Sequence, residues 1–369
     1  MTDVLILGGG PAGLAAAIAL RQKGIECLVV EALGPAIDKG CAEGLMPDAL
    51  ASLRELGLDI TEEHGHRFRG IRFNNPAHRV HADFPNGTGI GVRRTKLHGL
   101  IADRAREAGV PVLWGSRAKL LDNRSALVNG RTISFRYLVG ADGHASGIRK
   151  WAGLGEVQRE SVRFGFRRHY DIAPWSEYVE VHWGPPGQVY LTPVAADSVC
   201  VVFITRNPKL AHGDFLAAFP SVAARLQGIP TMSQLRGGIS ANRKLRRVAN
   251  RSVALIGDAS GSPDAITGEG LAVSFRQAVS LANAIDQGDL ELYNRAHKRI
   301  GRLPHAMSWL MLTMDRWPQI QGRAIKTLSS HPDYFQQLLS VHVGAESLYR
   351  FAMRQGLRIG WSFLEASFY

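Results

Sequence analysis

Residues 4–20 read VLILGGGPAGLAAAIAL: an apolar run of strand length, a glycine turn, then a helix of small residues. A short apolar run without alternation is what a strand buried on both faces of a parallel sheet requires. The glycines of Gly8-x-Gly10-x-x-Gly13 each have a task in the turn that follows. Gly8 permits the tight bend, Gly10 lets the backbone approach a pyrophosphate, and Gly13 lets the helix pack on the strand. The helix start at Pro11-Ala12 then offers free N–H groups and the positive dipole end to phosphates.

A second strand, IECLVVE (25–31), closes on Glu31, so the opening is a βαβ unit. Glu31 is placed to accept both hydroxyl hydrogens of an adenosine ribose, and its charge repels a 2′-phosphate. The dinucleotide expected here is FAD or NAD, not NADP. Far down the chain, residues 253–275 read VALIGDASGSPDAITGEGLAVSF, again strand, glycine turn and helix start. Between them, YLVGADGHASGIRKWAGL (137–154) ends a strand on Asp142-Gly143. Taken singly, an Asp-Gly or Gly-Asp pair is most often a turn.

The three segments in this order resemble the flavoprotein family of para-hydroxybenzoate hydroxylase. That family takes in single-component aromatic hydroxylases, geranylgeranyl reductases and, more distantly, flavin-dependent halogenases. The resemblance runs from residue 2 to about 290 and implies one extended FAD held by distant loops. Asp258, after Gly257, looks like the aspartate that holds the ribityl hydroxyls. Thr267-Gly268-Glu269-Gly270, with Leu271, would begin a helix aimed at the N1–C2=O edge of the flavin, where its dipole stabilises an anionic reduced ring. Asp142-Gly143 matches the family's DG motif near the pyrophosphate, and Arg94 in GVRRTKLHGLI matches its Arg-x-x-Leu, with Arg93 as the alternative. Ala32 and Ala118 complete the expected cofactor-binding residues. NAD(P)H is expected as a transient reductant, since hydroxylases of this family bind it without a domain of its own.

The resemblance implies an α/β protein: a Rossmann-like, glutathione-reductase-type FAD-binding domain with an inserted antiparallel-sheet substrate lobe and C-terminal helices. We assign 1–72, 94–160 and 248–290 to the first, 73–93 and 161–247 to the lobe, and 291–369 to the helices. The lobe's segments VRFGFRRHYDI, YVEVHWG, GQVYLTPV and SVCVVFIT alternate or run apolar at strand length. Alternation sends Arg168 and Tyr170 to one face and Arg167 and His169 to the other. One face should look at the substrate, so Arg168 and His169 join Gly268, Glu269 and Gly270 as candidate catalytic residues. DKGCAEGLMP (38–47) is similar to the Cys-Gly-rich segment of geranylgeranyl reductases. Cys41 is accordingly either a buried small residue or a neighbour of the flavin.

Composition bounds the rest. Of 369 residues, 45% are apolar and 21% charged, ordinary for a globular protein, while the formal net charge of +12 points to an anionic partner. The three cysteines form no metal-ligand spacing and the histidines show none, so no metal is expected. Reduced thiols and the lack of a leader fit a cytoplasmic protein, monomer or homodimer. No nucleic-acid fold signature accompanies the arginines. The stretch LYRFAMRQGLRIGWSFLEASFY (348–369) interleaves arginines with apolar residues, as a peripheral membrane contact would, or as a helix packed on its own domain. The expected activity is oxygenation of a hydrophobic aromatic or polyketide-like molecule with O2 through a flavin C4a-hydroperoxide. The alternative is reduction of carbon–carbon double bonds, as in geranylgeranyl reductases.

Overall fold

The computed structural model describes residues 2–210 and 212–353. The first apolar run forms the strand Thr2–Leu7, and Pro11 opens the helix Pro11–Gln22. Proline suits that position because the N–H it lacks has no helical partner there. Every residue from Gly13 to Leu20 is buried, since small side chains let this helix lie close to the sheet and to the helix Gly270–Asp286.

Thr2–Leu7 pairs in parallel with Cys27–Val30 on one side and with Arg131–Gly140 on the other. Val112–Leu113 and Val253–Leu255 continue the parallel order outward, and Ala249–Asn250 adds an antiparallel edge. The stretch 118–140 is a three-strand meander whose last strand runs on into the parallel sheet. Its turn at Asn129-Gly130 has φ of 48° and 76°, the two left-handed residues that a two-residue hairpin turn demands.

The second sheet has seven strands, in the order Arg236–Leu245, Val157–Asp171, Ser198–Thr205, Gly187–Ala195, Tyr178–Gly184, Gly70–Asn74, Arg79–Asp83. It departs from the sequence reading in two ways. Tyr178–Gly184 and Gly70–Asn74 run parallel, because they come from separate insertions and no hairpin dictates their sense. The sheet also begins earlier in each insertion than assigned, at Gly70 and at Val157, where strands extend past the apolar segments that signal them.

Beyond Gly270–Asp286, Asp289 caps the helix Leu290–Arg316 by accepting the Glu291 N–H at 2.8 Å. Pro318 and Pro332 each open a further helix, Pro318–Ser330 and Pro332–His342. These helices lie on the second sheet and share its core: Phe73, Val181 and Trp183 pack with Met314, Leu328, Phe335 and Leu339. The helical region is therefore one wall of the lobe rather than an appendage. Among the described residues, no helix is long and apolar enough to cross a membrane. Residues 354–369, most of the arginine-interleaved stretch, lie outside the described residues.

Candidate active site: a dinucleotide cleft and an apolar chamber

A cleft of about 980 Å³ opens at the carboxyl ends of the parallel strands, where ligands bind in open α/β sheets. It brings together Gly8, Gly10, Pro11, Ala12, Glu31, Ala32, Arg94, Ala118, Asp142, Gly143, Gly257, Asp258, Gly268, Gly270 and Leu271. The two glycine units thus meet in space, at opposite ends of one groove.

The turn geometry fits a pyrophosphate. A Cβ on Gly8 would stand 2.3 Å from the Ala141 carbonyl oxygen, and one on Gly13 would stand 1.9 Å from that of Gly8. These two glycines are required by packing, and Gly13 itself lies behind the cleft. A Cβ on Gly10 would meet nothing within 4 Å, so the space before it is left for a ligand. Glu31 holds the turn in place, its carboxylate accepting the N–H of Gly9 at 2.6 Å and of Leu33 at 2.8 Å. His98 bonds the Gly9 carbonyl at 2.9 Å from below, and burial keeps its pKa low. Arg94 is buried at the start of its helix with Nε lacking a protein partner, which suits a ligand anion.

At the middle of the groove, Asp142 organises its own loop by accepting from Ser146 Oγ and, at 3.1 Å, from Ile148 N. Arg149 donates to the carbonyls of His144 and Ala259, tying that loop to the Asp258 turn. Asp258 faces Lys39 at 2.7 Å. Burial would raise its carboxyl, but the Lys39 ammonium, helped by Arg94 and His144, outweighs it and holds the group below the usual carboxylate range. At the far end Gly268 takes φ 70°, and Gly270 and Leu271 start the helix Gly270–Asp286 toward the cleft. These residues fit a flavin dinucleotide along their whole length.

Besides Gly13, four expected site residues do not line the cleft. Thr267 turns away, its hydroxyl donating to the Asp264 carbonyl at 3.1 Å. Glu269 is buried behind the loop, where desolvation, with repulsion from Asp48, pushes its pKa up to about 8 against the pull of Arg276. Arg168 is on the far face of its strand beside Tyr170, which packs into a separate core with Val189 and Phe203. His169 is fully buried under the cleft wall, bonded to Glu43 at 2.6 Å and to Ser233 at 2.9 Å. Of that strand, Arg167 reaches the cleft, with Gly165 and Phe166. Arg167 donates to Asp38 and, at 3.0 Å, to His169 Nδ1, so the imidazole proton lies on Nε2 toward Glu43. Glu43, His169 and Cys200 put ligand-type atoms within 4.8 Å of one another. The Glu43–His169 hydrogen bond already occupies that space, and burial, foremost, keeps the Cys200 thiol protonated.

Lys39, Cys41 and Arg167 were not among the expected cofactor or catalytic residues. They arrive on the loop 31–44 and on the lobe's strand, and the signal in the sequence was the Cys-Gly-rich character of DKGCAEGLMP, which left Cys41 as either a buried small residue or a neighbour of the flavin. Cys41 is half-buried in the cleft wall, its Sγ accepting the Glu43 N–H at 3.4 Å.

Past Gly268 the cleft adjoins a chamber of about 120 Å³. Ala42, Gly44 and Gly268 belong to both cavities. Most of the remaining lining is hydrocarbon and aromatic: Met46 and Phe68, then Phe73, Val179 and Val181 from the lobe's sheet, and Met307, Leu310, Met314, Leu328, Phe335 and Leu339 from the helices. Two of its polar side chains bond to the protein backbone, while His342 Nδ1 has no hydrogen-bond partner. Tyr190 donates to the Ile266 carbonyl at 2.9 Å, and His342 Nε2 bonds the Thr267 carbonyl at 3.0 Å.

This fold and groove define a flavin-dependent oxidoreductase. Residues 1–288 match the model of the FAD binding domain family, and the chain belongs to that family. It is 27% identical over 318 residues to a menaquinone reductase of Mycobacterium tuberculosis, covering 78% of this chain and 77% of that one. With a digeranylgeranylglycerophospholipid reductase of Methanosarcina acetivorans it is 27% identical, covering 79% and 77%. A rifampicin monooxygenase of Rhodococcus hoagii is 33% identical over 162 residues, 41% of this chain and 33% of that one. A flavoprotein/dehydrogenase structure from Cytophaga hutchinsonii superposes with a TM-score of 0.83 at 17% identity, covering 100% of this chain and 99% of that one, which shows the fold.

Proposed function

We propose that this protein is an FAD-dependent reductase that saturates a carbon–carbon double bond in a long apolar chain of isoprenoid type. The observation that carries the reading is the chamber beside Gly268, whose wall is mostly hydrocarbon and aromatic and whose Tyr190 hydroxyl and His342 Nε2 are bonded to backbone carbonyls. An aromatic substrate to be hydroxylated at a defined ring position needs a polar anchor, because a smooth apolar wall discriminates poorly between orientations. A prenyl chain needs only contact. The likeness to the two reductases extends over more than three quarters of this chain, whereas that to the monooxygenase is confined to 162 residues. We therefore prefer reduction to the hydroxylation that the sequence first favours.

When bound, FAD supplies the electron pair that reduces the alkene, taken up as a hydride equivalent at one carbon. The protein's residues do the rest. The Gly10 turn, Arg94 and Asp258 hold and orient the cofactor along the groove. The N-terminus of Gly270–Asp286 stabilises negative charge at the groove's end. The apolar chamber excludes water from the reacting carbons. Cys41 lies in the cleft wall next to Ala42, which lines the chamber, so its thiol is the protic group placed to deliver the proton to the second carbon. Cleft solvent then restores that proton.

The test is anaerobic incubation of the holoprotein with dithionite, NADH or NADPH and a prenylated quinone or geranylgeranyl lipid. A product heavier by two hydrogens per turnover is expected, and Cys41→Ala is expected to lower the rate about a hundredfold or more, the range of a lost acid catalyst. A product that forms only in air and carries one atom of labelled O2 would overturn the reading in favour of hydroxylation.

A further inference from the structure

We propose that the outer face of the helix Leu290–Arg316, with the start of Pro318–Ser330, docks on an anionic lipid bilayer over the mouth of the apolar chamber. The nature of the substrate entering there rests on the reductase reading; the docking surface stands on its own observations.

The first is where the chamber opens. Of its lining residues, two are exposed: Gly268, at the flavin end, and Leu310, on the outside of the helix. Leu310 is 40% exposed and borders the chamber with its neighbours Met307, Met311 and Met314, so the cavity has an outer end at this helix. Beside it stand Trp309, 63% exposed, and Trp317, 54% exposed. Two exposed tryptophans and a leucine thus surround the opening, and indole rings favour the boundary between lipid and water.

The second is charge. Residues 292–332 carry seven lysines and arginines against a single acid, Asp315. Asp315 is turned inward, bonded to Arg206 at 2.6 Å and to Gln188, so it neutralises nothing on the face. Arg299, Arg302, Trp309, Leu310 and Arg316 are all exposed, and at about 3.6 residues per turn they fall on one side of the helix. Arg316 also lies 5.8 Å over the ring of Trp317. An exposed stripe of arginines with Trp309 and Leu310 between them and Trp317 just beyond is the pattern of a helix lying in an anionic interface. A second copy of this chain would bring the same positive charge to the face, which disfavours it as the occupant.

This places the membrane contact upstream of the stretch 348–369 from which the sequence reading expected it. The experiment is flotation of the full-length holoprotein with vesicles of phosphatidylglycerol and phosphatidylcholine, or of phosphatidylcholine alone, at low and high salt. Wild type is expected to float with anionic vesicles, less in high salt, and not with neutral ones. Arg299→Gln with Arg302→Gln is expected to weaken partition about thirtyfold, from roughly fivefold per basic group, and Trp309→Ser with Trp317→Ser to weaken it too. Bound flavin absorbance, unchanged in both variants, reports that the fold is kept. Equal flotation of wild type and both variants, or no flotation at all, would overturn the proposal. So would flotation lost on truncation after residue 353 yet kept in the helix variants, which gives the membrane to the tail. Salt-resistant dimers that dissociate in Trp309→Ser would give the face to a second copy. Flotation is read without turnover, so a protein that binds vesicles but saturates no alkene would overturn the reductase reading alone.

Discussion

At the residue scale, Glu269 shows how the flavin end of the groove is built from an unfavourable burial. It stands in the turn that presents Gly268 and Gly270, yet its side chain is 1% exposed and Oε2 lacks a hydrogen-bond partner. Asp48 faces it from the helix Pro47–Glu55, Arg276 from its own helix, and His342 from Pro332–His342, at 3.6 Å. Its folded pKa, about 8, lies above the ordinary glutamate value near 4.5. Between those values the unfolded chain has released the proton that the folded one keeps, so stability falls as pH rises through that window. Burial raises Asp48 as well, in the same sense, while the burial of His342 lowers its pKa and acts oppositely toward acid. Glu269→Gln should therefore match wild type near pH 5 and melt at a higher temperature near pH 8.5, by an amount on the order of a few kcal/mol. Parallel thermal melts of the two proteins across pH check this, and a lower melting temperature for the variant at pH 8.5 would contradict it.

At the element scale, the loop that carries Asp264 is fastened between the lobe and the helical wall by one arginine. Arg163, fully buried on the strand Val157–Asp171, donates to both oxygens of Asp264 and to Gln188 at 2.6 Å, and lies 3.6 Å from Asp315. Asp264 in turn caps the short turn Ala265–Thr267 through the Ile266 N–H at 2.9 Å. Removing one partner of such a pair leaves buried carboxylates unpaired and costs about 3–5 kcal/mol. Arg163→Met should lower the denaturant midpoint accordingly in urea unfolding. A midpoint within error of wild type would show that this pairing does not fasten the loop.

The same scale shows what could be read from sequence. The glycines at 8, 10 and 13, with Glu31, Asp142 and Asp258, each mark a place where backbone geometry or a strand end leaves little choice, and all but Gly13, which packs behind it, meet in one groove. Alternation along RFGFRRHYD separates Arg167 and His169 from Arg168 and Tyr170, but parity alone does not say which face the cofactor sees. The pairing with Ser198–Thr205 and Arg236–Leu245 settles it in favour of Arg167. His169 shares that face and is then covered by Glu43, a contact across 126 residues that no local pattern encodes. Lys39 and Cys41 lie on a loop without periodicity, so nothing in their spacing fixes where they point.

At the scale of the molecule, the chamber exists only because three helices, each apolar on one side, close over a sheet formed from two separate insertions. Its lining is drawn from segments running from Ala42 to His342, and no single segment announces a cavity. The cofactor groove and the chamber touch at Ala42, Gly44 and Gly268, so electrons and an apolar chain are brought to the same place from opposite directions. That meeting is the account's central claim, and its most direct test follows the colour of the bound flavin. The holoprotein is bleached with dithionite under nitrogen, then mixed with geranylgeranyl lipids that carry no quinone ring, still without oxygen. The account predicts that the yellow band returns as the alkene is saturated; a protein that stays bleached with every such compound until air is admitted would contradict it.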